Sequence, residues 1–400
     1  MKMEKFEVKT EDIKAGKITD VYFKNTAATL KYEFQNKLLE PETKVVLEVS
    51  QCLPKNYRFG VMCGVDEILD LFRNRKVDIY GMKDGDIFFR GNPVMRIEAT
   101  AGEYAEFADL ETPVLGLLGR ESGIATKSAR VRIAAKDKTY LFFGTRNDHP
   151  FMTRVLDKAA FVGGADGISN IASQELLGLV ARGTMPHALM IINKDQEKAW
   201  KAYAKTIKNN GLIVLADTFW DEKAEALLAA KLFGQQLKGV RLDTTGSRRG
   251  DFREIVKEVR WELDIRGYKN VGIFCSGGMD EFTVAEVADI AMGFGVGSSV
   301  AGGQNLDATL KVVEVGGEPI SKRGKKAGAK QVWRKENFQD AVTLANDAVP
   351  GAKPLLEPLM LNGEILEWNK TETEWINEAN QRFMGNLGKM PEEMKILEKE

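Results

Sequence analysis

The chain has 400 residues and a mass of 44.5 kDa, enough for a large core and for two domains. Its 57 Lys and Arg balance 58 Asp and Glu, a formal net charge of −1, so no global field draws it to nucleic acid or to an anionic membrane. No apolar run approaches the ~20 residues that span a bilayer, and the opening MKMEKFEVKTEDIK alternates charge with no apolar signal core. A cytoplasmic protein with no nucleic-acid or membrane partner is expected. The three cysteines, Cys52, Cys63 and Cys275, form no Cys-x-x-Cys pair, and they are expected to be buried free thiols with no structural zinc.

Residues 20–125 mix short strands with helices. Val77–Tyr80, Ile87–Arg90 and Val94–Ala99 alternate like strands, with a turn at Asn92-Pro93. Glu103–Leu118 is rich in Ala, Leu and Glu and predicts a helix that breaks or kinks at Pro113. This part has the pattern of an α+β layer, and residues 1–125 are taken as an N-terminal α+β domain.

From about residue 138 apolar runs end in polar or glycine residues and helices follow. Tyr140–Phe143, Ala188–Ile192, Leu212–Asp217, Gly239–Asp243 and Val271–Cys275 are the predicted strands. Asp221–Phe233 predicts a helix stopped by Gly234. Another opens at Asp251 with Glu254 three residues on, and Phe252, Ile255, Val256, Val259 and Leu263 share one face. Repeated strand–helix units indicate a parallel sheet covered by helices, either a barrel or an open doubly wound sheet. In both, the site forms at the carboxyl ends of the strands. Residues 126–300 are taken as this strand–helix domain. Residues 301–400 begin with a hairpin around Gly316-Gly317, continue through the basic run Lys322–Lys326 and end in a helical tail, expected to pack back on the N-terminal domain.

The strand ends carry the chemistry. Gly295, Gly297 and Ser298 form one glycine loop and Ser276, Gly277 and Gly278 another. Such loops suit a sugar phosphate, because glycine permits close approach of backbone N–H groups. Neither has the Gly-Lys-Ser/Thr ending of a P-loop. Asp217 and Asp243 could orient ribose hydroxyls, bind Mg²⁺ through water or steady a developing cation; equally, each could cap a helix or pair with an arginine. Arg241, Arg248 and Arg249 surround Asp243 and suit phosphate or carboxylate oxygens. The chain has only two histidines. His187 follows Gly183-Thr184-Met185-Pro186, in a loop unlike simple core packing. His149 either binds phosphate or caps the turn before Pro150.

In order along the chain, GTMPHAL at 183–189, VRLDTTGSRRGDF at 240–252, FCSGGMDE at 274–281, GFGVGSS at 293–299 and KRGK at 322–325 resemble the nicotinate phosphoribosyltransferases of archaea and some bacteria. The resemblance runs from Thr19 to about Arg334. It implies an N-terminal α/β sandwich with an irregular, incomplete α/β barrel. It also implies transfer of a phosphoribosyl group from phosphoribosyl pyrophosphate (PRPP) to nicotinate, with Mg²⁺, and coupling to ATP through phosphorylated His187. By the same resemblance Phe143 stacks on the pyridine ring, and Tyr22 of a neighbouring subunit covers its other face, which requires a homodimer or larger assembly. Arg146 meets the substrate carboxylate or the phosphoribosyl group. Arg241 and Asp243 hold ribose and pyrophosphate, with Asp217 beside them, and the glycine loops cradle the 5′-phosphate. Ser169 stands where nicotinamide-using relatives carry an aspartate, which favours the acid over the amide. Asn147 departs from a second arginine common in the family. The absence of cysteine after Cys275 removes a zinc knuckle, and no metal is expected to be held by protein groups alone.

Two other readings remain. Arg120–Thr126 resembles the Ser-Gly-Ile-Ala-Thr segment of quinolinate phosphoribosyltransferases, although those have Glu-Arg where this chain has Glu111-Thr112. A non-catalytic phosphate-binding or flavin-binding barrel would also carry glycine loops.

Overall fold

The computed structural model describes residues 9–207, 211–367 and 369–399, the side chain of Arg249 excepted. Most of the opening segment read for a signal core therefore lies outside the described residues. The chain forms two units, one from the segments up to Thr126 and from Gln304 onward, the other from Lys127 to Gly303. The division at Thr126 falls inside the helix Glu111–Ala135.

The first unit holds a seven-stranded sheet in which strand Lys44–Gln51 lies between Ala308–Val315 and Pro93–Thr100, antiparallel to both. The chain's two ends thus share one sheet. Glu357–Leu361 joins it further out, beside Asp78–Gly81. The hairpin at Gly316-Gly317 has both glycines at positive φ, 60° and 80°, as a two-residue turn of this hand requires. Helix Val65–Phe72 buries Val65, Ile68, Leu69 and Phe72, an i, i+3, i+4, i+7 stripe that joins Leu47, Val49 and Ile97 in the core. Helix Glu372–Lys389 opens with a reciprocal capping box between Thr371 and Glu374 and anchors through Trp375, whose indole N–H donates to Asp84 at 3.0 Å.

Two expectations change here. The break in the segment Glu103–Leu118 comes at the 3-10 turn Ala108–Leu110, and Pro113 sits in the first turn of the next helix, where its missing N–H costs nothing. Cys63 and Cys275 are buried free thiols, but Cys52 is exposed. Its backbone N–H still pairs with Asp307 at the end of the sheet, while its side chain points to solvent.

The second unit is built on six strands: β1 Thr139–Phe142, β2 Gly167–Ile168, β3 Leu212–Leu215, β4 Leu237–Leu242, β5 Gly272–Cys275 and β6 Gly293–Val296. Their order is β2-β1-β6-β5-β4-β3, and every pair is parallel. β2 and β3 follow one another in the chain yet lie on opposite edges, so the ring is not closed: it is an incomplete barrel. The helix Glu222–Phe233 starts on Asp221, whose side chain accepts from Ala224 N–H, and ends at Gly234 with φ 51°. The helix Phe252–Ile265 buries Phe252, Val256, Val259 and Leu263, with Ile255 half-buried.

Between β2 and β3 the expected strand Ala188–Ile192 is instead part of helix His187–Asn193. A short apolar run does not by itself distinguish the two. Of this run only Met190 is buried, and Ile191 and Ile192 are exposed, so it does not serve as a barrel stave. Among the described residues, no helix is long and apolar enough to cross a membrane.

Candidate active site

Five of the six strands send a cavity-lining residue to their carboxyl ends. After β1 come Phe143 and Arg146, after β2 Ser169, after β4 Asp243, after β5 Ser276–Gly278, and after β6 Gly297 and Ser298. Arg241 lies within β4 itself. Two cavities of about 370 and 380 Å³ open there, both lined by Phe143, Arg146, Arg241 and Asp243. The first adds the two glycine loops. The second adds Ser169 and the segment Gly183–His187.

Glycine is required in the first cavity for reasons that differ by position. Gly277 (φ 77°) and Gly278 (φ 62°) are successive left-handed residues, and a Cβ on Gly277 would lie 2.8 Å from the carbonyl of Asp243. Gly295 lies within β6, and a Cβ there would come within 2.4 Å of the Phe143 ring. Its missing side chain is what lets that ring lie across the end of the sheet.

A polar network fixes the centre. Ser276 Oγ donates to Asp243 Oδ1 at 2.7 Å, and the backbone N–H of Asp243 donates to Asp217 Oδ2 at the same distance. Asp217 lines neither cavity; it stands behind Asp243 and holds it. The Nε2 of His187 faces both carboxylates, 3.6 Å from Asp243 and 3.8 Å from Asp217, while its Nδ1 lies 3.2 Å from the Thr218 hydroxyl. Arg241 donates to the Met185 carbonyl at 3.0 Å and comes 4.0 Å from Asp243, which ties the Gly183–His187 segment to β4.

These placements shift the protonation equilibria. Burial pushes Asp217 up to about 6, against the charge of His187. Asp243 raises the histidine above its ordinary value. Burial works on Asp243 as well, but the neighbouring His187 and Arg241 hold it below the usual carboxylate range. Asp217 Oδ1 is buried with no hydrogen-bond partner, 3.8 Å from His187 Nε2, an acceptor left for a cation.

Neither His149 nor Arg248 lines the cavities. His149 is exposed; its Nδ1 accepts from Phe151 N–H at 3.3 Å and its ring lies tilted beside that of Phe151, so it caps the 3-10 turn Pro150–Met152. Arg248 is exposed on the short helix Gly246–Arg249. The Arg249 side chain lies outside the described residues. Tyr22 belongs to the other unit, on helix Val21–Gln35, and is 56% exposed.

Sequence reasoning passed over Thr218, Thr245 and Gly246. It also passed over Glu225, whose buried carboxylate accepts the backbone N–H groups of Thr218, Phe219 and Trp220 at 3.0, 2.7 and 2.9 Å. Glu225 shapes the loop that presents Thr218 to the histidine. Its place one turn into the helix after β3 was the signal available, since a carboxylate in a first turn can fold back on its own N-terminus.

Residues 20–122 match the model of the quinolinate phosphoribosyl transferase N-terminal domain, and residues 124–311 match that of the C-terminal domain. A nicotinate-nucleotide pyrophosphorylase of Pyrococcus furiosus is 43% identical, with a TM-score of 0.89 over 97% of this chain and 99% of that one. A nicotinate phosphoribosyltransferase of Mycobacterium tuberculosis is 27% identical over 82% of this chain and 80% of its own length. One of Bacillus subtilis is 32% identical over 51% of this chain and 41% of its own. The chain belongs to the nicotinate phosphoribosyltransferase family. It is a phosphoribosyltransferase, with its candidate site at the carboxyl ends of the parallel strands. The human nicotinic acid phosphoribosyltransferase shares the transferase's fold at 19% identity, with a TM-score of 0.72 over 95% of this chain and 96% of that one.

Proposed function

We propose that the enzyme transfers the phosphoribosyl group of PRPP to nicotinate, giving nicotinate mononucleotide and pyrophosphate for NAD synthesis, with ATP hydrolysis coupled through His187. The observation that carries this reading is the pair of adjoining cavities that share Phe143, Arg146, Arg241 and Asp243. One has the glycine loops that suit a 5′-phosphate. The other has an aromatic face, a guanidinium and a serine hydroxyl, which suit a flat ring bearing one carboxylate.

Displacement at the anomeric carbon builds positive charge on the ribose. Asp243 is held ionised and lies between the cavities, where it stabilises that charge. Arg241 faces the departing pyrophosphate. The nicotinate nitrogen is itself a nucleophile and needs no base. Mg²⁺ would neutralise the charge of the pyrophosphate, and Asp243, with the buried orphan oxygen of Asp217 behind it, would hold the ion there. With Nε2 turned to two carboxylates, the neutral ring carries its proton there and keeps a lone pair on Nδ1. That nitrogen would take the γ-phosphoryl of ATP, releasing ADP and bringing about −2 charges beside the pyrophosphate subsite. By its resemblance to the family, Tyr22 of a second copy would cover the pyridine, making the active form at least a dimer.

Quinolinate fits less well. Arg146 and Arg241 are the cations among the described lining residues, and Arg241 is already turned to Met185 and Asp243. A second carboxylate on the ring would be desolvated without a partner. The test is a comparison of nicotinate, quinolinate and nicotinamide as acceptors for PRPP. Nicotinate mononucleotide from nicotinate, without carbon dioxide release from quinolinate, supports the proposal. Turnover of quinolinate with release of carbon dioxide contradicts it.

A further inference from the structure

Asp157 lies on helix Thr153–Val162 and is fully buried, yet it lines neither cavity. Its Oδ2 accepts from Ser173 Oγ at 2.6 Å and its Oδ1 from Thr145 Oγ1 at 3.2 Å. The two hydroxyls belong to different loops. Thr145 opens the 3-10 turn Thr145–Asn147 after β1, between Phe143 and Arg146. Ser173 closes the 3-10 turn Ile171–Ser173 after β2, a few residues beyond Ser169. The parent strands are direct neighbours, with Phe142 opposite Ile168. One carboxylate therefore ties together the loops that carry Phe143, Arg146 and Ser169.

A carboxyl is an expensive choice for that position. Burial pushes it up to about 6, and an apolar side chain of similar volume would pack there at lower cost. An apolar residue would not, however, hold two loop hydroxyls at a fixed separation. An ionised carboxylate only accepts, so both hydroxyls must turn their protons toward it.

We propose that Asp157 is a positioning residue that sets the spacing between Arg146 and Ser169, and through it the grip on the acceptor's carboxylate. The proposal deepens the nicotinate reading given above and rests on it. The phosphoribosyl side is less exposed to the tie, because its glycine loops, Ser276–Gly278 and Gly297–Ser298, follow β5 and β6 and lie outside the two loops that Asp157 joins.

The test compares steady-state kinetics of wild type, Asp157→Asn, Ser173→Ala and Ser173→Thr, with Tm measured alongside. The expected result for the first two variants is a KM for nicotinate raised roughly three- to tenfold, the scale of one hydrogen bond. Their KM for PRPP and their kcat should stay within about twofold, and Ser173→Thr, which keeps the hydroxyl, should stay near wild type. A lowered Tm with both KM values unmoved overturns the proposal and leaves Asp157 a structural residue. So does a parallel rise for both substrates, or a Ser173→Thr shift as large as that of Ser173→Ala. Wild type serves as the internal control. If it forms no nicotinate mononucleotide, the nicotinate reading falls and this proposal with it. If it is active and the variants are unshifted, this proposal falls alone.

Discussion

The Nδ1 of His187 lies 3.2 Å from the hydroxyl of Thr218, on the opposite side of the ring from two carboxylates. The imidazole is thereby oriented from both ends, as a histidine with a chemical task must be. Thr218→Val keeps the volume and removes the hydroxyl. It is expected to lower ATP-dependent phosphate incorporation by roughly three- to tenfold, on the scale of one hydrogen bond, while ATP-independent turnover changes little. Phosphate incorporation and nicotinate turnover, measured on the same preparation, check this.

Ser169 lines the cavity that also holds Arg146. Ser169→Asp would bring a second negative charge toward the acceptor's carboxylate. Nicotinate KM is expected to rise at least tenfold, more than 1.4 kcal/mol of lost binding, while nicotinamide is affected far less. The ratio of kcat/KM for the two acceptors is the measurement. An unchanged ratio would place the carboxylate elsewhere.

Two glycines separate steric from conformational demand. Gly295→Ala drives a methyl to within 2.4 Å of the Phe143 ring, so a loss of about 1–3 kcal/mol in stability is expected, together with a higher KM for nicotinate. Gly278→Ala meets no atom within 4 Å but sits at φ 62°. Its cost is conformational, about 1–2 kcal/mol, and the kinetic effect should fall on PRPP. Unfolding curves and both KM values distinguish the two.

In the first unit, Glu111 borders an apolar patch with Phe72, Ile97, Phe107 and Leu310, and burial pushes its carboxyl up to about 7. The folded chain thus holds a proton that the unfolded chain releases near the ordinary carboxylate value of 4.5. The stability this provides is present below pH 4.5 and is lost as pH rises through 7. Glu111→Gln stays neutral throughout. It should match wild type near pH 4.5 and exceed it by about 1–2 kcal/mol at pH 8, the full linkage being discounted for partial exposure. Denaturant titrations at the two pH values decide; a difference independent of pH would mean the carboxyl is not the cause.

Much of the barrel was legible because each strand ends on a residue with a distinct job: Asp243 on β4, the Ser276–Gly278 loop on β5, Gly297 on β6. The parallel sheet and its glycine loops follow from that pattern; the incomplete barrel follows from the family resemblance, since the pattern alone fits an open sheet as well. The segment Ala188–Ile192 misled because five apolar residues fit a buried strand as well as a short helix; only the exposure of Ile191 and Ile192 tells them apart. Thr218, Thr145 and Ser173 were silent for another reason. A loop hydroxyl has no periodicity and no fixed spacing to its partner, so its role appears only when Asp157 or His187 is brought against it. Asp217 was located correctly at a strand end, but sequence could not show that it supports Asp243 from behind instead of lining the cavity.

The proposed activity is nicotinate phosphoribosylation coupled to ATP through His187. Its most direct test is nicotinate mononucleotide formation from nicotinate, PRPP and Mg²⁺, with and without ATP, by wild type and by His187→Ala. Product from wild type, stimulated by ATP, is expected, with that stimulation lost in the variant. Wild-type product formation indifferent to ATP and to the substitution would contradict the histidine coupling. Absence of product from wild type would contradict the proposed reaction itself.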